Sequence, residues 1–161
     1  MSFSAVTCAA VAVVGLIFAT VANTEEVDNF RMCRNTHCEV FDVFVNPCPE
    51  ALDSKPCELP QGTNASIEFK YIPKWGSSQP VTRLYAETLV MDLPFLGMDT
   101  NACLYTECPM VAQATQIYNY NLYISESYPK GGYTVKVKMW NGESNAKSSD
   151  ECCFKIDIAI V

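Results

Sequence analysis

The clearest signal in the chain is a two-residue alternation of apolar and polar positions. In the segment YTVKVKM, Tyr133, Val135, Val137 and Met139 fall on one side, and Thr134, Lys136 and Lys138 fall on the other. Phe154, Ile156, Ile158 and Ile160 alternate in the same way with Lys155, Asp157 and Ala159. Such a period predicts strands with one buried and one wet face. Glu39–Asn46, Ser66–Ile72 and Thr115–Ile124 read as further strands, and Val81–Leu93 reads as a long one carrying Leu84, Tyr85, Leu89, Val90 and Met91. Turn chemistry separates them at Pro60-Gln61-Gly62, Gly76-Ser77-Ser78, Pro129 to Gly132 and Asn141-Gly142. No stretch carries a helical stripe. The expectation is an all-β, immunoglobulin-like two-sheet sandwich of about seven strands.

The first 22 residues break the pattern, because 17 of them are apolar and the first charged side chain is Glu25. The run Ala9–Ala22 is short for a membrane span and ends in small residues, so residues 1–22 are expected to be a cleaved signal peptide and residues 23–161 a single domain. An uncleaved anchor is the alternative, since the segment before the apolar run has no Lys or Arg.

Removing the leader removes Cys8 and leaves an even set of cysteines at 33, 38, 48, 57, 103, 108, 152 and 153. In an exported chain this predicts disulfides. No C-x-x-C pair occurs and His37 is the sole histidine, so no metal site is expected. Cys48 with Cys57 and Cys103 with Cys108 suggest local clips, while the other four cysteines lie at the two ends of the domain and would tie its first strand to its last.

Charge and motif content narrow the function by exclusion. Eleven Lys and Arg against eighteen Asp and Glu give a net charge of -7, so no nucleic-acid partner is expected. G-x-S-x-G, Walker A, H-E-x-x-H and EF-hand patterns are all absent, and His37 reads as a solvated loop residue. No enzyme activity and no cofactor are expected. Asn64-Ala65-Ser66 is an N-glycosylation sequon, which makes Asn64 a candidate glycan site.

The segments around the cysteines carry a resemblance. Cys33, then Asn46-Pro47-Cys48-Pro49, Pro56-Cys57, Asn101-Ala102-Cys103, Cys108-Pro109, Tyr128-Pro129, Trp140 and Cys153 follow in an order that resembles the ML-domain lipid-recognition family. Within it the chain looks most like the Niemann-Pick type C2 sterol carriers and the group-two mite allergens. The resemblance runs from Cys33 to the end, 129 of 161 residues. It implies a sandwich whose sheets splay around one lipid, and bridges joining Cys33 with Cys153, Cys48 with Cys57 and Cys103 with Cys108. Cys38 and Cys152 have no counterpart in the family and could form a fourth bridge; the crossed pairing of Cys33 with Cys152 and Cys38 with Cys153 stays open.

The resemblance also implies a ligand-binding set. Phe95 after Pro94 would line the mouth of the pocket, Ile124, Tyr128 and Pro129 would complete it, and Trp140 matches a buried tryptophan. The function implied is a secreted, monomeric carrier of one sterol, fatty acid or other apolar molecule, with a membrane-bound acceptor protein as its partner and the lysosomal lumen as an alternative destination. A lipid-sensing co-receptor of innate immunity and a carrier of a small apolar chemical signal are the alternatives. The co-receptor should display a basic rim, whereas the basic residues here form only small groups at Arg31/Arg34 and Lys136/Lys138.

Overall fold

Alternation along the chain resolves into strands over residues 25–161, which are the residues this computed structural model describes; the expected leader, with Cys8, lies outside them. The strands are β1 (Glu25–Glu26), β2 (Arg31–Met32), β3 (Cys38–Asn46), β4 (Cys57–Leu59), β5 (Asn64–Pro73), β6 (Pro80–Glu87), β7 (Asp92–Pro94), β8 (Gln116–Tyr123), β9 (Gly131–Asn141) and β10 (Glu151–Ile160). Six are long and four are edge fragments of two or three residues. The smaller sheet is ordered β1-β3-β5-β8, and the larger is ordered β2-β10-β9-β6-β7. β4 runs parallel to the last residues of β10, pairing Cys57 with Ile158. The protein is an all-β two-sheet sandwich.

The inward faces follow the predicted parity. Val135, Val137 and Met139 of β9 and Phe154, Ile156, Ile158 and Ile160 of β10 are all buried. Burial of each such side chain is worth about 1.5–3 kcal/mol. One strand departs from simple alternation. In β3 the register with β5 slips between Phe41 and Phe44, Asp42 adopts a φ of 49°, and the bulge lets Val40 and Val43 both point inward.

The segment Val81–Leu93 is not one strand. β6 stops at Glu87, and the Thr88 hydroxyl accepts the amides of Val90 and Met91 at 3.3 and 3.1 Å, closing a tight turn before β7. Leu89, Val90 and Met91 are thereby placed at a tip, where they are 107, 87 and 61% exposed. A hydroxyl that captures local amides competes with the ladder, and apolar periodicity does not register it.

The structure pairs Cys33 with Cys153, Cys38 with Cys152, Cys48 with Cys57, and Cys103 with Cys108. Strand parity accounts for the choice at the chain ends. Cys152 shares the inward face of β10 with Phe154 and belongs to the core, whereas Cys153 lies on the outward side with Lys155. Adjacent cysteines on a strand point to opposite faces, so each reaches a different partner.

Candidate functional site

One end of the sandwich is packed solid and the other is hollow. At the packed end Phe69 stacks on Tyr118 at 4.8 Å and meets Phe154 edge-on at 4.8 Å. The hydroxyls buried there are satisfied: Tyr71 pairs with Thr106 at 2.9 Å, Tyr118 pairs with Thr82 at 3.1 Å, and the Thr82 hydroxyl can donate to the Lys138 carbonyl. Burial raises the phenol pKa values of Tyr71 and Tyr118 above the ordinary range and pushes Tyr120 up to about 12, so this wall stays neutral.

Toward the other end the sheets enclose an inner pocket of about 40 Å³ and an outer chamber of about 410 Å³. Phe95, Leu122 and Ile158 line both and form the partition between them. The chamber falls within the size range of small-molecule sites. Its walls are Ala86, Leu93, Phe95, Leu96, Ile124 and Tyr128 with Pro94, Pro129 and Tyr133, over a floor of Ile158 and Ile160. No charged side chain lines either compartment.

Local hydrogen bonds hold the mouth. The Phe95 amide donates to Leu84 at 2.9 Å, which ties the segment after β7 to β6. On the other lip, the Gln61 side-chain amide donates to the carbonyls of Glu126 and Tyr128, and the Tyr133 hydroxyl donates to Pro129 at 2.6 Å. Gly62, at a φ of 74°, donates its amide to Ile124 at 2.7 Å. Across the opening the rings of Phe95 and Tyr128 stack at 6.3 Å.

Phe95, Ile124, Tyr128 and Pro129 are therefore brought together around the chamber. Ile124 is only 1% exposed, so it acts as packed wall more than open rim. Trp140 requires correction. It lies one residue beyond inward-facing Met139, opposite Glu151 and Val81, is half-buried on the outer face of β9, and lines neither compartment. The buried tryptophan is Trp75, 7% exposed. Sequence reasoning also missed the inner pocket, built from Val45, Leu59, Ile67, Leu84 and Val135 on five strands that only the tertiary fold brings together. Asn64 is exposed at the start of β5, opposite Tyr123.

The arrangement fits what comparison with known proteins finds. The ML domain family matches residues 27–160. An MD-2-related lipid-recognition protein of Manduca sexta is 41% identical over 124 residues, covering 76% of each chain. Among solved structures, a Niemann-Pick type C2 protein from the Japanese carpenter ant superposes with a TM-score of 0.68 at 15% identity, over 82% of this chain and 98% of that one. The C-terminal domain of wzt superposes with a TM-score of 0.51 at 10% identity, over 86% of this chain and 82% of that one, a likeness of fold alone. The extent of the family match and the identity to the Manduca protein together establish that this chain belongs to the ML domain family.

Proposed function

We propose that the protein binds one apolar lipid, a sterol or a fatty acid, in the intersheet chamber and carries it through an aqueous, oxidising compartment. The observation that carries this reading is the chamber itself, which is apolar throughout and has no carboxylate, imidazole or amine in its walls. Each methylene moved into it from water is worth about 0.8 kcal/mol, whereas a charged head group would find no partner there and must remain at the mouth. The similarity to the Manduca lipid-recognition protein supports the same reading. Four disulfides suit a secreted protein or one resident in a lysosomal lumen.

Transfer needs a contact surface as well as a cavity. The β6–β7 tip exposes Leu89, Val90 and Met91, and Leu96, which itself lines the chamber, is 83% exposed. An apolar projection beside the mouth suits docking to an acceptor protein or membrane during loading and release. No basic side chain lines the chamber, which favours a carrier over a co-receptor for phosphorylated lipids.

The test is titration of delipidated protein with a fluorescent sterol and a fluorescent fatty acid. Saturable binding of one molecule per chain is expected, displaced by unlabelled ligand, with the same affinity for the sterol at about pH 5 and pH 7 because neither the sterol nor the chamber wall carries a carboxylate, imidazole or amine. Absence of saturable binding of either probe would overturn the reading.

A further inference from the structure

The outer face of the larger sheet, on the opposite side from the chamber, gathers positive charge that is dispersed in the sequence. The register aligns Arg31 of β2 with Lys155 of β10 and Lys136 of β9 in one cross-strand row, and Cys153 with Lys138 and Arg83 in the next. Rows two residues apart lie about 7 Å from each other, and neighbouring strands lie about 4.8 Å apart. Arg34 joins them from the loop after β2. A surface trough of about 410 Å³ runs between Arg31, Arg34, Lys136, Lys138 and Lys155, with the Cys33–Cys153 bridge in its lining and Glu151 as its single carboxylate.

The cations outnumber the acids that touch them. Asp157 binds Arg31, Glu151 binds Lys138, Asp92 binds Lys136, and Glu87 is shared between Lys136 and Lys155. Arg34 and Arg83 have no ion-pair partner among the described residues, and the Arg83 Nε is buried without a hydrogen bond. Six of the chain's eleven basic residues therefore meet four of its eighteen acids, and this face is positive on a protein of net charge -7. The loop that carries Arg34 is also anchored. The Cys33 amide donates to Cys153, the Cys153 amide donates to the Thr36 hydroxyl, and the His37 amide donates to Glu151. The backbone that carries Arg34 is thus held before any ligand arrives.

We propose that this trough is a second binding site, separate from the lipid chamber, and that it takes a sulfated polysaccharide chain. The shape of the array selects the ligand. The cations run across strands in rows with carboxylates between them, and a chain with spaced sulfates can follow the rows. A flat anionic membrane would meet Glu87, Asp92, Glu151 and Asp157 as well. The Arg31 fork is taken by Asp157, so the guanidinium of Arg34, which has no ion-pair partner among the described residues and lines the trough, supplies the forked donor that binds sulfate oxygens, and Arg83 extends the array at the other edge.

The experiment is chromatography of the full secreted chain on immobilised heparin at neutral pH, followed by measurement of heparin-fragment affinity across a salt series. A protein this acidic has no general attraction for heparin, so retention reports a local site. Retention is expected, and Arg34→Glu with Lys138→Gln should reduce the slope of log Kd against log salt by about two. Both substitutions lie outside the lipid chamber, so fluorescent-lipid binding by the variant should match wild type and certify its fold. Flow-through of the wild type, retention unaltered in the variant, or preference for phosphatidylserine-containing vesicles over heparin would each overturn the proposal.

Discussion

Replacing both cysteines of either terminal bridge is expected to cost only about 2 kcal/mol, whereas replacing all four should cost about 7 kcal/mol and bring the protein close to unfolding. The bridges Cys33–Cys153 and Cys38–Cys152 span 120 and 114 residues. A loop of that length restricts the unfolded chain by about 4.8 kcal/mol in the chain-entropy treatment. Their ends, however, are near neighbours in sequence. With one bridge in place, the second closes a ring of about six residues, worth about 2 kcal/mol, and only the loss of both releases the long loop. The inner pair should be the more costly of the two, because Cys38 and Cys152 are part of the core and their sulfur atoms leave a void. Urea unfolding of the Cys33→Ala/Cys153→Ala, Cys38→Ala/Cys152→Ala and four-alanine proteins measures this directly. Losses that simply add, with each pair contributing half of the total, would contradict the account.

Phe95→Ala should weaken lipid binding by about 10- to 100-fold while leaving stability nearly unchanged, and Phe69→Ala should do the reverse. Phe95 is half-buried, forms part of the partition between chamber and pocket, stacks on Tyr128 and touches the core only from its edge. Truncating it removes ligand contact worth about 1.5–3 kcal/mol and enlarges a space that is already open. Phe69 is 0% exposed and sits among Tyr71, Tyr118 and Phe154, so its loss leaves a hole in packed material and should cost about 3–5 kcal/mol. The two readouts are the urea midpoint of the ligand-free protein and displacement of the fluorescent probe. A Phe95→Ala protein that is strongly destabilised yet binds normally would make Phe95 core filler. Ile124 is unsuited to this test, because at 1% exposure Ile124→Asp would bury an unpaired carboxylate.

The sandwich was legible because its longest strands alternate cleanly. Val135, Val137 and Met139, and the run from Phe154 to Ile160, announce their buried faces without help from tertiary context. Parity carries further information. Cys152 has the phase of Phe154 and Cys153 that of Lys155, which already distinguishes the two bridges, and Trp140 is out of phase with Met139. Other features were invisible for physical reasons. Leu89, Val90 and Met91 look like strand core, and a single threonine hydroxyl turns them into an exposed tip. The positive face was missed because Arg31, Arg83, Lys136, Lys138 and Lys155 become neighbours only through the pairing of β2, β10, β9 and β6. The chamber mouth depended on the resemblance, since Phe95 and Tyr128 sit in segments with no periodicity of their own.

Native mass spectrometry of the full chain expressed in eukaryotic cells and purified without added lipid or detergent tests the carrier reading most directly. The account predicts a species heavier than the four-disulfide polypeptide by the mass of one apolar molecule, removed by organic extraction and restored by incubation with a lipid mixture. A protein that carries no such mass and takes up none from the mixture would contradict it.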